Sequence, residues 1–322
     1  MKIGNSEILT TLVTATEKSR DSKNSEIKLF ESNGENLGTV SNTAQGVSAD
    51  VTINKNIEES SILGFSKQKI QINTLQGQSF EINLFIQGTA DAEKIKILSE
   101  KIAKVMSNLP EKALVDMQKE CRHIFILKNI PHNSQAKGLA IGPLNQIFLS
   151  SDLTFELSKE ELSDTLIHET GHLIDQTNCK FTGKASNINK RAFTALKELL
   201  TSDLGFDPES HSLASISEFF ADYYLNKIGS PSKNHRCVAL FNKLDEYKKA
   251  FETLEEEAFN NKYGEQSEKI KLIAKKWEKL EGDFIYFLTN IENGEVERID
   301  ENAQTMSLEQ IEERNQQIKK ES

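Results

Sequence analysis

Leu166-Ile167-His168-Glu169-Thr170-Gly171-His172-Leu173-Ile174-Asp175 carries an HExxH pattern inside an apolar frame. On a helix, residues four apart share a face, so His168 and His172 aim two imidazoles at one point. Glu169 lies one residue round, placed to meet a water beside a metal rather than the metal itself. Two nitrogen ligands and one carboxylate base form the working set of a zinc hydrolase. The plainer reading is a surface helix with an incidental histidine pair. Leu166, Ile167, Leu173 and Ile174 speak against it, because they bury the helix and an unpaired buried histidine pair is costly. One Zn2+ ion per chain is therefore expected.

Working outward, Ser158 and Glu161 have capping-box spacing, so this helix should run from Lys159 to about Gln176. Just upstream, Gly138-Leu139-Ala140-Ile141-Gly142 and Gln146-Ile147-Phe148-Leu149-Ser150 flank Pro143-Leu144-Asn145 and read as a hairpin. Its edge either accepts an extended peptide by strand addition or is an ordinary sheet edge.

Catalytic zinc generally takes three protein ligands and keeps an open position. The HExxHxxGxxH extension fails here, since Asp175 and Asn178 stand where Gly and His are required. His211 and His235 are candidates, but neither sits in a helical motif. Glu218 is stronger: Ser217-Glu218-Phe219-Phe220-Ala221-Asp222 opens a second helix on which Glu218 and Asp222 share a face. That pair offers a carboxylate ligand and a second carboxylate able to hold a ligand imidazole through its free N–H. The alternative is an acid that merely suits the dipole at a helix start.

These elements resemble the gluzincin metallopeptidases, most closely the catalytic domain of anthrax lethal factor and the related clostridial proline-specific endopeptidases. The resemblance rests on His168-Glu169-Thr170-Gly171-His172-Leu173-Ile174-Asp175 and the downstream Glu218-Phe219-Phe220-Ala221, and it covers roughly residues 95–230. It implies His168, His172 and Glu218 as zinc ligands, Glu169 as general base, and Asp222 or a neighbour as a carboxylate behind the ligands; Asp175 is a further candidate for such a place. One position departs. Where the family places an oxyanion-stabilising tyrosine ahead of the ligand glutamate, this chain has His211, and thermolysin-like gluzincins use a histidine for that task. Tyr223 and Tyr224 are alternatives that read better as core.

The 322 residues are 37% hydrophobic with a mean hydropathy of −0.49, which suits a polar globular protein of one large or two modest domains. A formal charge of −10 argues against nucleic acid and anionic membranes as partners. Cys121, Cys179 and Cys237 are odd in number and widely spaced, so no disulfide framework or cysteine-based zinc ribbon is implied. No run approaches the ~20 apolar residues of a membrane span, so integral membrane association is not expected. Met1–Arg20 lacks the apolar region of a secretory signal. The expectation is secretion by a route needing no such signal, into a host cell in one version, with a cytoplasmic location as the alternative.

The organisation expected is α+β: a zincin-like metallopeptidase domain with a small mixed sheet, the HExxH helix and a helical C-terminal part. Residues 1–26 read as a polar leader and 27–88 as a small β-rich module, with alternation in Lys69–Ile72 and Phe80–Ile86. Residues 89–292 read as the metallopeptidase domain, including helices over Ala90–Met106, Glu111–Glu120, Asn187–Leu200, Val238–Phe259 and Ile270–Ile291. Residues 293–322 read as an acidic tail.

The function expected is a zinc endopeptidase acting on a protein or peptide, in the manner of a bacterial effector or toxin. The rivals are a catalytically inactive metal-binding adaptor of the same fold and a housekeeping cytoplasmic peptidase. Glu169 disfavours the adaptor, which needs ligands but no base. The β-rich module is expected to serve as scaffold, in targeting or in binding a partner.

Overall fold

The computed structural model describes residues 50–53, 58–59, 65–73, 79–87, 92–128, 130, 136–177, 184–229 and 236–292. Its strands are β1 (Asp50–Ile53), β2 (Glu58–Glu59), β3 (Phe65–Asn73), β4 (Ser79–Gln87), β5 (His123–Leu127), β6 (Gly138–Ile141) and β7 (Gln146–Ser150). They form one sheet in the order β1-β3-β4-β5-β7-β6, with β2 beside β3. The β4–β5 and β5–β7 pairings are parallel, and the others are antiparallel. The architecture is therefore α+β with a mixed sheet.

Alternation in β3 and β4 sorts their side chains onto two faces. Ile70, Ile72, Phe80, Ile82, Leu84 and Ile86 join the main core, which also holds residues of every long helix. On the opposite face Phe65, Phe85, Phe125, Leu127 and Phe148 form a second, smaller cluster. Phe125 is stacked between Phe85 at 4.8 Å and Phe148 at 5.2 Å. The central strands β5 and β7 are buried on both faces, which is why they read as nearly continuous apolar runs.

The sheet runs across one expected boundary. The strands expected to form a separate module over 27–88 pair with the rest of the chain, Leu84 of β4 standing opposite Ile124 of β5. A division at residue 88 would cut one continuous ladder. Alternation reports that a strand is half-buried, not which strand it will pair with. The expected leader (1–26), the first part of the module up to residue 49, and the acidic tail (293–322) lie outside the described residues.

The helices are α1 (Ala92–Met106), α2 (Glu111–Glu120), α3 (Ser151–Glu156), α4 (Lys159–Thr177), α5 (Lys184–Glu198), α6 (His211–Ala214), α7 (Ile216–Ile228), α8 (Arg236–Thr253), α9 (Glu256–Tyr263) and α10 (Ser267–Glu292). The helix expected over Val238–Phe259 is in fact two, α8 and α9, broken after Thr253. Aromatic side chains bind the C-terminal helices into one core. Phe219 of α7, Phe241 of α8 and Trp277 of α10 lie with ring centroids 5.1–5.8 Å apart. Glu281 of α10 is buried there, but Lys227 at 2.7 Å and Lys248 at 2.8 Å compensate its charge. None of the described helices is long and apolar enough to cross a membrane.

α4 and α7 approach closely because Gly171 has no side chain where they meet. A Cβ at Gly171 would lie 3.0 Å from Ala221 Cα and 3.3 Å from Tyr224 Cβ. Gly171→Val should therefore overpack the contact and destabilise the protein by about 1–3 kcal/mol. Gly282 in α10 supplies the control, since a Cβ there would meet nothing within 4 Å. Gly282→Ala should stabilise by about 0.5–1 kcal/mol. Urea unfolding midpoints read both changes, and a Gly171→Val midpoint at or above wild type would show that the helices separate there without cost.

Candidate metal centre

Two helix N-termini orient the centre. Ser158 and Glu161 cap α4 reciprocally: Glu161 N–H donates to Ser158 Oγ at 3.1 Å, and Ser158 N–H donates to Glu161 Oε2 at 3.0 Å. α7 is capped by Ser215, whose Oγ accepts from Glu218 N–H at 3.2 Å. The register so set brings the buried His168, Glu169 and His172 of α4 against Glu218 and Asp222 of α7.

Three donor atoms converge. His168 Nε2 and His172 Nε2 are 3.1 Å apart, and each lies 3.2 Å from Glu218 Oε2. Ligand atoms at zinc bonding distance in a tetrahedron lie roughly 3.3 Å from one another. The triangle and its chemistry, two imidazoles and a carboxylate, thus fit the donor set that would hold a zinc ion. His168, His172 and Glu218 form one of two potential metal-holding groups among the described residues, and His168, His211 and Asp222 form the other.

Each imidazole is held from behind by its other nitrogen. His168 Nδ1 donates to Asp222 Oδ1 at 2.8 Å, and Asp222 Oδ2 accepts from Ser212 Oγ at 2.5 Å. His172 Nδ1 meets Ser217 Oγ at 3.2 Å, and that hydroxyl donates to Asp175 Oδ2 at 3.0 Å. Asp175 therefore stands behind His172 at one remove, through a serine that sequence reasoning gave no role.

The charges follow this wiring. Burial opposes a charge on His168, but hydrogen bonds to Asp222 and Glu218 outweigh it and raise its pKa to about 10. Burial alone would raise the carboxyls of Glu218 and Asp222, yet both are held well below the usual carboxylate range by their histidine hydrogen bonds. Burial pushes Asp175 up to about 6, against the opposing hydrogen bond from Ser217. Glu169 is also raised, chiefly by burial, with His168 and His172 opposing. Its neighbour across the gap is β6. A Cβ at Gly138 would lie 2.6 Å from Glu169 Oε1, so any larger residue there would push the carboxylate from this position.

His211 belongs to the cluster and begins the short helix α6, where the sequence showed no helical motif. Its Nε2 lies 3.1 Å from Glu218 Oε2, and its Nδ1 3.9 Å from Asp222 Oδ2. At 38% side-chain exposure it is the most open of the site's histidines. The two tyrosines considered in its place point elsewhere. Tyr224 donates to Asp116 Oδ2 at 2.6 Å, and Tyr223 is packed among Phe241, Trp277 and Phe284. His235 lies outside the described residues. Ser212, Ser217 and Gly138 are the participants that the sequence did not single out; for Ser217 the only available signal was its place beside Glu218 on the helix.

Comparison with protein-family models, with curated proteins and with solved structures returns no match.

Tyr224→Phe separates core from centre. It should destabilise the fold by about 1.5–3 kcal/mol, because a hydrogen bond to a buried carboxylate is lost while Lys112 continues to pair with Asp116. Zinc affinity should not change. A chelator titration showing weakened zinc binding in this variant would place Tyr224 in the centre after all.

Proposed function

We propose that this chain is a zinc-dependent endopeptidase of the gluzincin kind, and that its α+β architecture is zincin-like. The observation that carries the reading is the convergence of His168 Nε2, His172 Nε2 and Glu218 Oε2 within 3.1–3.2 Å, with Glu169 next to them on α4. Its likeness in motif to the lethal-factor-like peptidases adds support. Zinc held by these three atoms would supply Lewis acidity, lowering the pKa of a water it binds toward ~7 and polarising a carbonyl.

The chain's own residues do the rest. Among the described strands β6 ends the sheet, and its backbone runs against Glu169 at Gly138. An extended peptide paired with that edge passes beside the carboxylate, so the substrate class is an unfolded or looped protein segment. Glu169 accepts a proton from the attacking water as the new C–O bond forms. It then delivers that proton to the amide nitrogen as the C–N bond breaks. His211 stands at the open side of the cluster, where an imidazole N–H can stabilise the charge developing on the carbonyl oxygen.

A reading as an adaptor that only holds a metal leaves Glu169 without a task, although burying a carboxylate beside two imidazoles carries a cost that a task would justify.

The purified protein should bind one zinc ion, and Glu218→Ala should abolish tight binding. Glu169→Gln should keep zinc and fold while removing most peptide hydrolysis, because an amide cannot accept the proton. Metal analysis together with cleavage profiling of a peptide library tests this: a wild-type protein loaded with zinc that cleaves nothing points to the adaptor, and an active Glu169→Gln removes the base. His211→Phe should lower kcat by roughly 10²–10³ with KM little changed, the scale expected for losing an oxyanion donor. Wild-type kcat in that variant, with zinc content intact, would leave His211 outside the chemistry.

A further inference from the structure

The two imidazoles of the centre are supported unequally, and the difference has a chemical consequence. His168 Nδ1 meets a carboxylate directly, Asp222 Oδ1 at 2.8 Å. His172 Nδ1 meets only a hydroxyl, Ser217 Oγ at 3.2 Å, with the carboxylate of Asp175 a further 3.0 Å beyond. A hydroxyl can either donate to or accept from an imidazole, so a serine alone does not specify which ring nitrogen carries the proton.

We propose that Ser217 is a positioning residue whose hydroxyl, oriented by Asp175, holds His172 in the tautomer that turns a bare Nε2 toward the centre. The inference rests on the zinc reading above and adds to it how the second imidazole is prepared. A serine has one hydroxyl proton, and an ionised carboxylate can only accept. With that proton committed to Asp175 Oδ2, Ser217 offers His172 only lone pairs. Nδ1 must then be the N–H, and a neutral imidazole has just one, so Nε2 keeps its lone pair.

The layout explains why the relay needs two helices. Asp175 and His172 lie on α4, whereas Ser217 comes from α7 and directly precedes Glu218. Docking the helices thus delivers the third ligand and the orienting hydroxyl together. Asp175 is 4% exposed, and only its Oδ2 has a partner among the described residues, Oδ1 being buried without one. A carboxylate held at that cost and aimed at a single hydroxyl is placed to fix a direction.

The test compares Ser217→Thr with Ser217→Val, which share a shape and differ in the hydroxyl. Zinc affinity is read by chelator competition, and the urea midpoint of the metal-free protein is read alongside. Ser217→Val should weaken zinc binding by roughly 10–100-fold, and Ser217→Thr should restore most of it. Asp175→Ala should fall in the same range. Combining it with Ser217→Val should cost little more than either change alone, because the two act as one relay. Equal zinc affinity in the Thr and Val variants, or fully additive losses in the double variant, overturns the relay. Loss of zinc from Glu218→Ala alongside unaffected Ser217 variants would sink this inference and leave the zinc reading standing. A wild-type chain that takes up no zinc removes both.

Discussion

The close approach of α4 and α7 is the constraint on which the centre depends. Gly171 is the hinge of that contact, since any larger residue meets the backbone of Ala221. Helices separated by one more methyl layer would leave the carboxylates of Glu218 and Asp222 out of reach of the histidines. Two apolar-looking details of the sequence, a glycine within HETGH and an alanine within EFFAD, are therefore as necessary to the cluster as its histidines and carboxylates. Their contribution is the absence of volume.

That approach concentrates charge where water is scarce. His168, Glu169, His172, Asp175 and Asp222 are all buried. Isolated, each would carry a large desolvation cost. The cluster is tolerable because nearly every charge has an opposite or a hydrogen-bond partner within about 3 Å: Asp222 serves His168 and Ser212, and Glu218 serves His168, His172 and His211. Such a network has few other ways to satisfy its members, which favours a single arrangement over many.

The sheet does a separate job. α4 packs against β6 and, less extensively, β7, and β6, which ends the sheet among the described strands, is pinned to that helix at both ends. Gly138 lies against Glu169, and Gly142 N–H donates to Gln176 Oε1 at 2.6 Å. The helical half works from the other side, where the aromatic packing of Phe219, Phe241 and Trp277 fixes the inner face of α7 and so the direction of Glu218.

Much of this was legible in local pattern. The HExxH spacing, the capping box at Ser158 and the shared face of Glu218 and Asp222 depend only on helix periodicity, which a linear sequence displays directly. So do the amphipathic helices and the hairpin before α4. What local pattern does not carry is pairing. The strands read as a separate module proved continuous with the central sheet through β4 and β5, because alternation encodes a buried face and not a neighbour. Ser217 and Ser212 became visible only once α6 and α7 were docked, since a serine near a helix start is equally suited to capping or solvent. His211 was named from its position before Glu218, but its 3.1 Å contact with that carboxylate depends on a short helix the sequence did not announce. The sequence by itself determined which chemical groups are present and which face of each helix they occupy. Only the tertiary structure decided which nitrogen of each imidazole faces the centre, because that is set by hydrogen bonds between residues more than forty positions apart.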